Sequence, residues 1–208
     1  MIFLQGIQKS YWNILLVQIV LILFECSILT QGCDDVELVT RERWDAREPK
    51  STESMATPVP HLFIHHTAMG ACNDFESCKQ MMQIIQNFHM DDRGWEDIGY
   101  NFLIGGDGRV YEGRGWNRVG AHTRGYNRDG IAFCLMGNYV SKAPSELMLN
   151  TTKKMVKCAE NENYVMSDYQ LHGHRDASCT ECPGSELYAI IETWPHFKKG
   201  PLPKYMCG

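Results

Sequence analysis

Three short stretches of the 208-residue chain concentrate side chains that hold metal ions: His65-His66-Thr67, Gly173-His174-Arg175-Asp176 and Thr180-Glu181-Cys182-Pro183-Gly184. Imidazole nitrogen and thiolate are the usual ligands of zinc. A hydrolytic zinc site keeps three protein ligands and one open position for water. Two histidines and one cysteine from separate segments would make such a set. Each stretch follows a strand-like run, and an open α/β sheet places its site just beyond its strand ends. On spacing alone, a structural role for each histidine stays open.

The elements that must position these residues are legible as alternating patterns. Leu62 to Thr67 is a short apolar run ending in polar groups, which suits a buried strand delivering histidines at its end. From Asn73, Phe75, Cys78, Met82, Ile85 and Phe88 recur at helical spacing, and Asn73 with Glu76 fits a capping box. Gly94 ends that unit. Tyr100–Ile104 and Val110–Glu112 read as strands joined by the hairpin sequence Gly105-Gly106-Asp107-Gly108. Ile131–Met136 is another buried strand. Ser145 caps a second helix running to about Asn163, with Leu147, Met155, Cys158 and Ala159 towards the core. Tyr169–Leu171 is a short strand, and Ser185 starts a third helix through Ile191 and Trp194. The fold class is therefore α/β, a single domain with a central mixed β-sheet flanked by about three helices.

Composition bounds the function. An apolar fraction of 44% and a charged fraction of 22% are those of a soluble globular protein. A formal charge of -5 argues against nucleic acid as a partner. Lys9, the apolar stretch Tyr11–Leu29 and the small residues Thr30 and Gly32 read as a secretory signal peptide over 1–32. An uncleaved anchor is the alternative, at the expense of placing Glu25 in lipid; a lipoprotein signal at Cys33 is a third, with Gln31 a poor neighbour. No later segment is apolar enough to cross a membrane. Nine cysteines, one of them Cys26 in the leader, fit an oxidising compartment. The small loop between Cys72 and Cys78 is compatible with a disulfide at the helix start. Asn150-Thr151-Thr152 is a glycosylation sequon. Residues 50–60 form an irregular connection into the first core strand.

FIHHTA at 63–68, GWEDIGYNFLIGGDGRVYEGRGW at 94–116, GAHTRGYNRDGIAF at 120–133 and LHGHRDASCTECPG at 171–184 closely resemble the peptidoglycan recognition proteins. That family is similar in turn to the phage lysozyme-type amidases. The resemblance runs from about Cys33 to Phe197 and implies an amidase-like domain over 61–208, preceded by a family-specific segment at 33–60. It implies zinc ligands His65, His174 and Cys182, an active-site Tyr100, and Thr180 beside the scissile amide. The family contains zinc amidases and receptors that bind without cutting, separated chiefly by whether the cysteine at 182 survives. Its presence here implies an N-acetylmuramoyl-L-alanine amidase, with the receptor as runner-up.

The resemblance also implies bridges Cys72–Cys78 and Cys33–Cys158. Cys179 and Cys207 are left as a third pair for which it gives no warrant, and Cys134 reads as a packed free thiol. A Cys179–Cys182 bridge would abolish the zinc site. Gly115-Trp116 and Arg128 match residues that go with meso-diaminopimelate peptides, Arg128 through a bidentate pair with the extra carboxylate. Thr67, His122 and Thr123 are expected to line the same groove, whereas His89 and His172 read as structural. The implied partner is bacterial peptidoglycan or a muropeptide, met outside the cell in innate immunity by a secreted monomer without stable membrane association.

Overall fold

The computed structural model describes residues 33 and 35–207, and the unit beginning at Asp35 carries the fold. The leader assigned to 1–32, with Cys26, lies outside the described residues. Six strands form one mixed sheet: β1 (Leu38–Val39), β2 (Val59–His66), β3 (Phe102–Ile104), β4 (Val110–Glu112), β5 (Gly130–Leu135) and β6 (Val165–Gly173). Their order is β1-β4-β3-β5-β2-β6, and only the β3–β4 hairpin is antiparallel. Three helices pack on the sheet: α1 (Phe75–Asn87), α2 (Glu146–Asn161) and α3 (Ser185–Ile191). No helix among the described residues is long and apolar enough to cross a membrane.

The period-two alternation of β2 sorts its side chains between two very different faces. Leu62 and Ile64 join Phe102, Ile131, Phe133 and Leu171 in a large apolar cluster closed by Met148 and Met155 of α2 and Leu187 and Ile191 of α3. The opposite face carries Phe63 and His65. There α1 covers only part of the sheet, packing Cys78, Met82 and Ile85 against Leu103, Tyr111 and Cys134. A separate small cluster of Phe63, Tyr126, Ala177 and Leu202 lies on this second face.

Several boundaries differ from the sequence expectation. The α1 cap is Asp74, whose Oδ1 accepts from the Ser77 backbone at 2.9 Å while the Ser77 hydroxyl accepts from the Asp74 backbone at 3.3 Å. The box thus sits one residue later than Asn73–Glu76. Phe88 belongs to a π turn, Phe88–Asp92, whose wider winding takes it off the apolar stripe, leaving it 44% exposed. Leu147 faces outward in the first turn of α2, and Met148 and Leu149 are buried instead. β1 is too short to leave a periodic signal. β6 starts four residues before the expected Tyr169, because Met166, Ser167 and Asp168 lie exposed along an edge strand.

Candidate metal centre and substrate cleft

β5, β2 and β6 are adjacent and parallel, so their carboxyl ends lie side by side. His65 is the penultimate residue of β2, and His174 opens a single 3-10 turn directly after β6. Asp176 fixes that turn. Its Oδ2 accepts from the Gly173 backbone at 2.8 Å, and its Oδ1 accepts from the Tyr188 hydroxyl and the Gly200 backbone at 2.7 Å each. Cys182 is brought back to the same point by the Arg175 backbone donating to its carbonyl at 2.9 Å. Arg175 also donates to the Glu181 carbonyl.

One donor atom from each of His65, His174 and Cys182 lies within 4.8 Å of the others, the one such group among the described residues. His65 Nδ1 is 3.6 Å from Cys182 Sγ. Bonds of about 2.0–2.3 Å in tetrahedral zinc require ligand atoms roughly 3.3–3.8 Å apart, so small shifts suffice to close this set on an ion. With Nδ1 free for a metal, His65 Nε2 carries the proton and donates to Thr123 Oγ1 at 3.2 Å. The Thr123 hydroxyl in turn donates to His122 Nδ1 at 3.0 Å. This chain fixes the His65 tautomer, as outer partners of metal-binding imidazoles generally do. Cys182 Sγ accepts from the His66 backbone at 3.4 Å, an arrangement suited to thiolate. His66 itself is turned away, its Nδ1 accepting from the Tyr139 backbone at 3.2 Å.

Burial sets the protonation states. It lowers the His174 imidazole to about 4, helped by His66, and lowers His65 well below the usual range. Both rings are neutral and able to ligate at pH 7. Burial raises the Cys182 thiol to about 12 against the opposing His66 backbone hydrogen bond and the Arg175 charge. Metal binding must therefore displace a proton from it.

The centre opens into a cleft of about 450 Å³ that also exposes Thr67, Tyr100, His122 and Thr180. Burial holds the Tyr100 phenol well above its ordinary range, with the Cys134 and Cys182 sulfurs adding to the effect. Its hydroxyl shares a hydrogen bond with the Cys134 thiol. Thr180 Oγ1 accepts from the Cys182 backbone at 3.2 Å, which leaves its hydroxyl hydrogen to donate elsewhere. Thr67 is tied to Gly137, accepting from its backbone at 2.9 Å.

Two of the expected bridges are present among the described residues. Cys72 pairs with Cys78 and Cys179 with Cys207, Cys33 and Cys158 are half-cystines, and Cys134 and Cys182 are buried free thiols. The alternative Cys179–Cys182 bridge is thereby replaced by Cys179–Cys207. Asn150 is exposed on α2, while Thr152 of its sequon is buried and donates to the Met148 carbonyl at 2.8 Å.

Two expected selectors are not brought to the cleft lining. Trp116 stacks on Tyr164, with ring centroids 4.2 Å apart and planes 1° from parallel, and leans on Phe102. Gly115 precedes it in a turn with φ +71°. Arg128 is paired through Nε and Nη2 with both carboxylate oxygens of Glu53, at 2.7 and 3.1 Å, on the exposed surface. The chain contains another Gly-Trp pair, Gly94-Trp95, and its tryptophan does line the cleft, beside Arg93. Sequence reasoning missed this pair although it opens the quoted 94–116 motif. Thr123, expected in the groove, is fully buried and lines no part of the cleft; its role behind His65 and that of Asp176 were missed because both act through hydrogen bonds formed only in the fold.

The fold and site together define an amidase-type α/β domain. Residues 55–185 match the family model described as N-acetylmuramoyl-L-alanine amidase. Peptidoglycan recognition protein 1 of Bos indicus is 41% identical over 170 residues, covering 81% of this chain and 88% of that protein. N-acetylmuramoyl-L-alanine amidase of Mus musculus is 42% identical over 170 residues, covering 80% of this chain and 32% of that longer protein. A mutant of Drosophila PGRP-LB in complex with tracheal cytotoxin superposes with a TM-score of 0.76 at 41% identity, covering 77% of this chain and 96% of that one. The chain belongs to the peptidoglycan recognition protein family, within the N-acetylmuramoyl-L-alanine amidase domain family.

Proposed function

We propose that this chain is an exported, zinc-dependent N-acetylmuramoyl-L-alanine amidase that cleaves the lactyl-amide bond between N-acetylmuramic acid and L-alanine of peptidoglycan. The observation that carries the reading is a free Cys182 whose sulfur faces His65 Nδ1 at 3.6 Å beside His174. His65, His174 and Cys182 would hold the ion, which when bound supplies Lewis acidity and a water of lowered pKa. The remaining chemistry falls to the chain. Tyr100 stays protonated at neutral pH and can donate to the reacting carbonyl or exchange a proton with the attacking water. Thr180, its lone pair engaged by the Cys182 backbone, donates to the developing oxyanion from another side. Thr123 holds the His65 ring in the ligating tautomer.

The substrate assignment draws on the family and on the solved relative's bound tracheal cytotoxin. For preference towards meso-diaminopimelate peptides, Trp95 of the Gly94-Trp95 pair and Arg93 take the role first given to Gly115-Trp116, because both side chains line the cleft. Arg128 reaches a substrate carboxylate only by exchanging it for Glu53. The paired cysteines support an oxidising, extracellular setting in innate immunity, with the Cys33–Cys158 bridge, cleavage of 1–32 and glycan on Asn150 belonging to the same reading.

The test is incubation of the mature protein with a diaminopimelate-type muropeptide, with and without a chelator, followed by mass spectrometry. Release of intact stem peptide, abolished by chelation and restored by zinc, is expected. Tight binding without release would make the chain a receptor instead.

A further inference from the structure

The cleft does not end at the metal centre. It continues into a second lobe of about 640 Å³, which shares Arg93, Trp95, His122, His174 and Thr180 with the first and adds Arg124, Asn127, Cys179 and Met206. Arg93 and Arg124 are both exposed here, and neither forms a salt bridge among the described residues. Two unneutralised guanidinium groups attract carboxylates. The N-acetylated sugars of a muropeptide carry no charge besides the lactyl group, which is itself amidated. The stem peptide bears the carboxylates, so the charge of this lobe suits the stem peptide rather than the sugars.

Met206 comes from the C-terminal tail, an element outside the sheet and helices. The tail is woven onto the two loops that carry site residues. Leu202 donates to the Asp176 carbonyl at 2.8 Å and is buried with Phe63, Tyr126 and Ala177. Lys204 donates through Nζ to the Gly125 carbonyl and pairs with Asp129, both at 3.0 Å. Met206 pairs in parallel with Ser178, donating to the Ala177 carbonyl at 3.1 Å and accepting from Cys179 at 3.3 Å. The Cys179–Cys207 bridge closes the next position. Gly125, at φ +86°, has no side chain between the loop and the Met206 methyl group, which would stand 3.3 Å from a Cβ there.

We propose that Met206, held by this strap, is a specificity-determining residue that packs on the aliphatic arm of the third stem-peptide residue while Arg93 and Arg124 take its neighbouring carboxylates. A thioether on an unbranched chain adapts to such an arm. This rests on the peptidoglycan reading of the cleft. The test compares wild type, Met206→Ala and Met206→Leu in the full mature chain on muramyl dipeptide and on muramyl tripeptide carrying diaminopimelate. Losing roughly 40 Å² of apolar contact at ~25 cal/mol/Å² corresponds to about a fivefold rise in KM for the tripeptide with Met206→Ala. The dipeptide KM and both kcat values stay unchanged, and Met206→Leu restores the tripeptide KM. An equal effect on the two substrates, or none, overturns the proposal. Absence of turnover by wild type overturns the amidase reading instead, and Kd values for the same ligands by calorimetry then decide the tail's role by the same pattern.

Discussion

The two faces of β2 are built from neighbouring residues and do opposite work. Leu62 and Ile64 enter a large, mainly apolar cluster closed by α2 and α3, where side chains of similar volume are exchangeable. Phe63 and His65 point to the other face, where α1 covers only part of the sheet and a polar chain from Cys182 through His65 and Thr123 to His122 fills part of the rest. The larger apolar cluster lies on the first face, and the second face divides between a smaller cluster under α1 and the chemistry. A histidine set costs stability through burial, which the second face tolerates because the first carries the core.

This division is broken most severely by Cys182→Ser, which removes a ligand without touching the apolar cluster. Hydrolysis should fall by about a thousandfold or more, while the melting temperature and muropeptide Kd of the chain change little. Calorimetry and product analysis on the same sample check both halves; retained turnover would place the chemistry elsewhere. Ile64→Ala, one residue from His65 but on the other face, should do the reverse. It should lower unfolding free energy by about 2–5 kcal/mol in denaturant titration, with zinc content per folded chain unaltered. Thr123→Val keeps the shape but removes the acceptor for His65 Nε2–H. Zinc affinity in competition with a chelator should drop about 10–100-fold, the range for lost outer partners.

The division also shows in the pH dependence of stability. Burial lowers His89 and His172 to about 4 on the second face, although neither is a metal ligand. The unfolded chain takes up their protons near pH 6.5 and the folded chain only near 4. Their contribution is therefore complete above about pH 6.5 and is lost as pH falls towards 4, each adding a slope of about 1.4 kcal/mol per pH unit. Urea titrations of His172→Gln at pH 7 and pH 5 should show a shallower loss than wild type.

The sheet and helices were largely readable because Leu62, Ile64, Met155 and Ile131 announce their burial by type and period. The ligands were readable by resemblance, and their convergence follows from β2 and β6 ending side by side and from the Arg175 backbone holding the loop that returns Cys182 to the same point. What escaped reading depends on geometry made at long range. Trp95 and Trp116 follow the same Gly-Trp wording, and only packing against Tyr164 separates the core residue from the cleft residue. Arg128 carries no mark in sequence of its partner Glu53, and the tail's path to Ser178 leaves no periodic trace.

X-ray absorption at the zinc edge of the purified mature protein, with metal content from the same sample, addresses the centre of this account. One zinc per chain is predicted, with a single sulfur at about 2.3 Å, two imidazole nitrogens at about 2.0–2.1 Å and one further light atom. A metal-free chain after exposure to zinc, or a shell lacking sulfur, would contradict it.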